Sequence, residues 1–238
     1  MSAGAGASLT GGGTAASPLA LLRLDADRYY ETAYSGRRSP TTRVRLWLLN
    51  PEFRCVASYR LRQAAQELYR RNRVLGLAPL VASGVLRHRV FTVRHVHLSR
   101  DAVIGPGLYV MHAYGIMIGP SPIGDNCVLH QNVTIGDRVA AGDNDVPRLG
   151  NNVWIGPGAT ITGGITIGDD VTVSAGTVLS KSVPDGCLVA GNPGRVIQRD
   201  YDNGSIMNFT VRHPDRPAPD HGEAPGAGPG AAAEDPSA

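Results

Sequence analysis

Histidine is the side chain in this sequence best suited to do chemistry. Of seven histidines, His112 and His130 fall among short apolar repeats, and His97 lies just before them. An imidazole titrates near neutrality, so one that faces solvent can serve as a general base. Three imidazoles converging across a subunit interface could instead hold zinc, and His97, His112 and His130 are numerous enough to keep that alternative open. His88 and His95 precede the regular repeats and read as structural. Cys55, Cys127 and Cys187 are odd in number and lack metal-ligand spacing, so they read as reduced, buried thiols. No metal is expected.

The repeats are what would position these groups. From Leu149 an aliphatic residue falls at every sixth position: Leu149, Ile155, Ile161, Ile167, Val173 and Leu179. A second apolar or small residue follows four places later, at Val153, Ala159, Ile165, Val171, Thr177 and Val183. The frame extends back through Ile123, Leu129 and Ile135, and through Ile104, Val110 and Ile116. A hexapeptide period denotes a parallel β-helix. Each unit is a short flat strand plus a turn, three units close a triangular coil, and coils stack about 4.8 Å apart. Such a narrow interior has little room for rings, which accounts for the 5% aromatic content beside 30 glycines. On this frame His112, two places after the inward Val110, points outward, and so does His130, directly after Leu129.

The frame slips in two places. One extra residue separates Ile116 from Ile123. Fourteen residues separate Ile135 from Leu149, where twelve would keep phase. The polar stretch 138–148 should therefore leave the coil as an exposed loop, where function tends to collect. It carries Asp143 and Asp145, which with Asp101 could support an imidazole or serve only as solvated turn residues.

The rest of the chain frames this prism. Residues 1–17 and 201–238 are mostly small, polar or proline-rich and are expected to form disordered tails. The segment 18–92 reads as helical, with Ser39-Pro40 and Asn50-Pro51 as helix starts. Phe53, Val56, Tyr59, Ala64 and Leu68 recur near helical spacing, with Glu67 placed to pair with Arg71. The fold class expected is α+β: a helical oligomerisation domain (18–92) followed by a left-handed parallel β-helix (93–200). Net charge is +3 and arginines crowd the helical half. No aromatic stacking platform or base-reading motif accompanies them, so nucleic acid is not an expected partner. No signal peptide and no apolar run of about 20 residues is visible, so the expectation is a cytoplasmic protein without a membrane span.

Several longer segments now carry a resemblance. DADRYY (25–30), the helix 50–71, IGPGLYVMHAYGIMIG (104–119), HQNVTIG (130–136), the run 155–179 and VPDGCLVAGNPGRVI (183–197) resemble the serine O-acetyltransferases, over roughly residues 20–200. The resemblance implies acetyl-CoA as co-substrate, L-serine as acceptor, a role in cysteine synthesis, and a homotrimer or dimer of trimers with acetyl-CoA lying between neighbouring prisms. It implies His112 as the general base in a direct attack on the thioester, with no nucleophilic Ser or Cys and a backbone N–H to hold the oxyanion. It places the pantetheine arm along Gly156, Gly158, Ala175 and Gly176, and makes Lys181 and Arg195 contacts for the CoA phosphates.

Three positions depart from the family pattern. His97 stands where a carboxylate would orient the base, Met111 where a carboxylate would precede it, and Val146 where the loop would carry a second histidine. Other acceptors therefore stay open: a sugar, another hydroxylated metabolite or an amine. So do a β-helix carbonic anhydrase and a non-catalytic β-helix subunit. His130, Asp143 and Asp145 are the remaining candidates to line the acceptor side.

Overall fold

The computed structural model describes residues 16–137 and 145–207. Helices come first: α1 (Pro18–Tyr34), α2 (Pro40–Val44), α3 (Pro51–Arg71) and α4 (Arg73–Arg94), with a π-helical turn at Arg45–Leu49 between α2 and α3. The expected caps form. Ser39 Oγ accepts the Thr42 N–H at 3.2 Å, and Asn50 Oδ1 accepts the Phe53 N–H at 2.7 Å. Phe53, Val56 and Tyr59 are buried as one stripe, whereas Leu68 stays exposed and Glu67 makes no ion pair with Arg71. By length and composition alone α4 is apolar enough to cross a membrane, a feature the sequence reading did not register. Its Val74, Leu77, Val81 and Val85 face outward.

The repeats wind into a three-faced prism. The first face stacks His97–Leu98, Met117–Ile118, Thr134–Gly136, Thr160–Thr162 and Val178–Leu179. The second stacks Val103–Ile104, Pro122–Ile123, Arg148–Leu149 and Thr166–Ile167. The third stacks Tyr109–Val110, Val128–Leu129, Trp154–Ile155, Thr172–Val173 and Leu188–Ala190, closed by the antiparallel Arg195–Gln198. All other pairings are parallel. Both apolar positions of the repeat from Leu149 to Val183 are buried, as the period demands.

Register is fixed at the corner between the second and third faces. Asn151 Oδ1 accepts the Asp125 N–H at 3.0 Å, Asp169 Oδ1 the Asn151 N–H at 2.6 Å, and Asp185 Oδ1 the Asp169 N–H at 2.9 Å. The ladder needs glycine before it. A Cβ on Gly150 would lie 2.8 Å from the Asp169 nitrogen.

The first coil has no coil beneath it, so its backbone groups need partners from elsewhere. The helical cap supplies them with buried side chains. Arg60 donates to the carbonyls of Ile104 (2.8 Å) and Gly105 (2.6 Å) while pairing with Asp25 at 2.8 Å. Asp25 in turn accepts the Leu108 N–H at 3.0 Å, and Arg28 donates to Gly107 at 2.5 Å. Tyr29 bridges both the N–H and the carbonyl of Val110, and Tyr59 donates to Ala102 at 2.7 Å. Residues 201–207, expected at the start of a mostly disordered tail, pack against the prism and the cap. Asn203 donates to the Asn152 carbonyl at 2.9 Å, and Met207, in α5 (Gly204–Met207), is buried with its carbonyl on Arg28. The expected tail segments 1–15 and 208–238 lie outside the described residues.

Candidate active site

The corner between the third and first faces carries His112 and His130. Eight residues separate the inward Val110 from the next in-register residue, Ile118, which pairs with Leu98 and Ile135. The extra length thus falls inside the turn that holds His112, rather than after Ile116 as the sequence frame had it. Ile116 is buried within that turn. The widened turn is pinned at three points: Met111 N–H to Leu129 (2.8 Å), Gly115 N–H to Arg94 (3.0 Å), and the Tyr114 carbonyl to the Asn132 N–H (2.8 Å). His112 takes a left-handed backbone (φ 51°), and its side chain is exposed on the outer edge.

One coil on, His130-Gln131-Asn132 occupies the same corner, followed by Gly156-Pro157-Gly158 and Ser174-Ala175-Gly176. Backbone bonds link them: His130 N–H to Ile155 (3.1 Å), Gly158 N–H to Gln131 (2.9 Å) and Gly176 N–H to Pro157 (2.8 Å). The expected His112, His130, Gly156, Gly158, Ala175 and Gly176 therefore form one column. Gly176 has φ +66° and nothing within 4 Å of where a Cβ would be. A ligand can reach the backbone there without meeting a side chain.

His130 is 8% exposed and packs its ring on Trp154 at 4.6 Å between centroids. Its Nε2 is buried without a hydrogen-bond partner. Burial, and then the nearby His112, push its pKa down to about 4, so the ring is neutral at physiological pH. Sequence reasoning missed the Trp154 contact. The signal was present: Trp154 directly precedes the inward Ile155, so it faces out on the wall beside His130.

The other expected residues are not in this column. His97 sits on the first face, its N–H bonded to Ile116 at 2.7 Å and its ring edge-on to Phe91 at 6.1 Å. Burial and the Arg87 charge lower its pKa, with no contribution from His112. No hydrogen bond joins His97 to His112 among the described residues, so the expected orienting contact is not seen. Lys181 and Asp145 lie at the corner between the first and second faces, across the first face from His112. The Asp145 carboxylate rests where a Cβ on Gly164 would be. Asp101, at that same corner, is exposed and 3.5 Å from Arg100. Arg195 opens the closing strand opposite Ala190, near the top of the histidine column. Asp143 lies outside the described residues. Among the described residues of one chain, no group of three or more His, Cys, Asp or Glu could hold a metal ion.

Comparison with known proteins adds a lineage to this geometry. The family described as bacterial transferase hexapeptide (six repeats) matches residues 147–181. A serine acetyltransferase of Synechococcus elongatus is 34% identical over 165 residues, 68% of this chain and 64% of the relative. A serine acetyltransferase of Staphylococcus xylosus is 35% identical over 156 residues, 65% of this chain and 68% of the relative. The alignment thus spans just under two thirds of the cyanobacterial relative and just over two thirds of the staphylococcal one. Among solved structures, serine acetyltransferase from Brucella abortus in complex with coenzyme A superposes with a TM-score of 0.61 at 27% identity, over 75% of this chain and 67% of that one.

Proposed function

The chain belongs to the serine acetyltransferase family, and we propose that it moves an acetyl group from acetyl-CoA to the hydroxyl of L-serine. The observation that carries this is the column itself: an exposed imidazole on a widened turn, aligned with small residues whose backbone is open to a ligand. His112 accepts the hydroxyl proton as the serine oxygen attacks the thioester carbonyl. A turn N–H stabilises the tetrahedral oxyanion. The CoA thiolate then leaves and takes up the proton from His112. Gly158, Ala175 and Gly176 lie along the pantetheine arm, and Arg195 is the nearer of the two expected phosphate contacts.

His130 is the neutral imidazole that supports His112. It occupies the adjacent coil of the same corner, close enough to His112 to feel its charge, and its buried Nε2 is not engaged in any hydrogen bond. Lys181 and Asp145 reach a site of this kind only on a neighbouring copy, because within one chain they sit across the first face. This supports a homotrimer, with the outward apolar residues of α4 available for further assembly. The three buried, unpaired cysteines suit a cytoplasmic enzyme.

Met111 and Val146 favour a second reading with the same chemistry and another hydroxylated acceptor, since neither can bind an ammonium group. An acetyl-CoA turnover assay with serine, homoserine and a set of sugars separates the two. Serine turnover at the highest kcat/KM supports the first reading, and turnover of another acceptor alone overturns it.

A further inference from the structure

Where α4 crosses α3 and the first coil, a cavity of about 430 Å³ opens, lined by Arg62, Gly84, Arg87, His88, Phe91 and His97, with Val96 and Leu98 behind them. Two guanidiniums and two imidazoles converge, and no lining residue is acidic. Both arginines are held in place. Arg62 donates to the Leu80 carbonyl at 2.7 Å and Arg87 to the Leu98 carbonyl at 3.4 Å. Each guanidinium carries five N–H donors, so most remain for a ligand. Gly84 leaves the space that Arg62 occupies, since a Cβ there would come within 3.3 Å of Arg62 Nη1. Phe91 and Leu98 wall the space off with apolar surface, which strengthens any ion pair formed inside.

We propose that this cavity is a binding site for a small oxyanion, a carboxylate, sulfate or phosphate, held by Arg62 and Arg87 and completed by His97. Fork-shaped guanidinium donors match such planar or tetrahedral oxygens. Arg62, Arg87 and His88 from the packed helices line the same cavity as His97, and of these Arg87 is the charge that acts on it. Burial and Arg87 together depress its pKa, and an anion between the two would reverse that depression. The titration below uses no acyl substrate, so its outcome does not depend on which acceptor the enzyme takes.

The test is titration of the full-length protein with sodium sulfate, sodium phosphate and sodium malonate, without acetyl-CoA, at ionic strength held constant with chloride. Heat of binding and the His97 ring resonances are followed together. Saturable binding of at least one anion is expected, with the His97 pKa moving up as the site fills. The three salts report which oxyanion fits. Arg87→Gln should weaken binding by about tenfold or more, as expected for loss of a charge-assisted contact. Arg87→Lys should fall between, and Arg195→Gln should leave this binding unchanged. Absence of saturable binding, binding unaltered by Arg87→Gln, or a His97 resonance that ignores the anion would each overturn the proposal. Should Arg87→Gln fail to fold, the His97 response in the unaltered protein decides the question.

Discussion

The prism and the helical cap solve the same problem by different means. In the prism each coil satisfies the next, so stability is spread over repeated, nearly equivalent contacts between neighbours. Ile155, Ile161 and Ile167 do the same work in successive units, and the Asn151, Asp169 and Asp185 side chains repeat one hydrogen bond. In the cap a few groups that occur once hold everything. Asp25, Arg28, Arg60 and Tyr29 are buried and end the backbone ladder of the first coil. Redundancy lets the prism carry a widened turn at His112 without losing register. The cap has no such slack.

That contrast is most exposed by removing one cap charge. Asp25→Ala leaves the Arg60 guanidinium buried and unpaired, and unfolding in urea should show a loss of about 3–5 kcal/mol. Asn151→Ala in the ladder should cost only about 1–2 kcal/mol, because it takes the side-chain acceptor from one backbone N–H, that of Asp125, while the bonds made by Asp169 and Asp185 stay in place. Equal losses would dissolve the distinction between the two regions. Next in size, His112→Ala should lower kcat by about 10²-fold or more while coenzyme A binding stays nearly intact. An unchanged kcat would remove His112 from the mechanism.

A smaller effect sharpens the reading of the widened turn. His130→Phe keeps the contact with Trp154 but loses the nitrogen, and kcat should fall by about tenfold with KM little changed. His130→Gln, with an oxygen near the place of Nε2, should recover much of that loss. If Phe and Gln behave alike, His130 is packing only. The smallest effect is in stability against pH. His130 has a folded pKa of about 4, below the ordinary 6.5. As pH falls through that window the unfolded chain takes the proton first, so stability present above pH 6.5 is lost towards pH 4. Melting temperatures followed from pH 7 to 4 should therefore drop more steeply for the unaltered protein than for His130→Gln.

Much of this was legible in the sequence because a six-residue period has few physical meanings. The buried positions from Leu149 to Val183, the caps at Ser39 and Asn50, and the outward aim of His112 follow from spacing and side-chain type. The phase slip was harder to place. Ile116 and Ile118 are both apolar and both buried, so periodicity could not say which of them joins the face. Backbone pairing with Leu98 and Ile135 decided it. His97 is a related case: the family resemblance gave it the orienting position, and within one chain no hydrogen bond joins it to His112 among the described residues.

The sequence by itself determined the coil, its interior and the corner on which an imidazole could act, since these are local consequences of repeat length and of where glycine and asparagine fall. Only the tertiary structure decided which histidine stands beside His112, that Lys181 and Asp145 lie across the first face, and that Arg62 and Arg87 meet His97 in one cavity. These are contacts between residues far apart in the chain or on different coils. They depend on how coils stack and on where the cap docks, and no short spacing in the sequence encodes either.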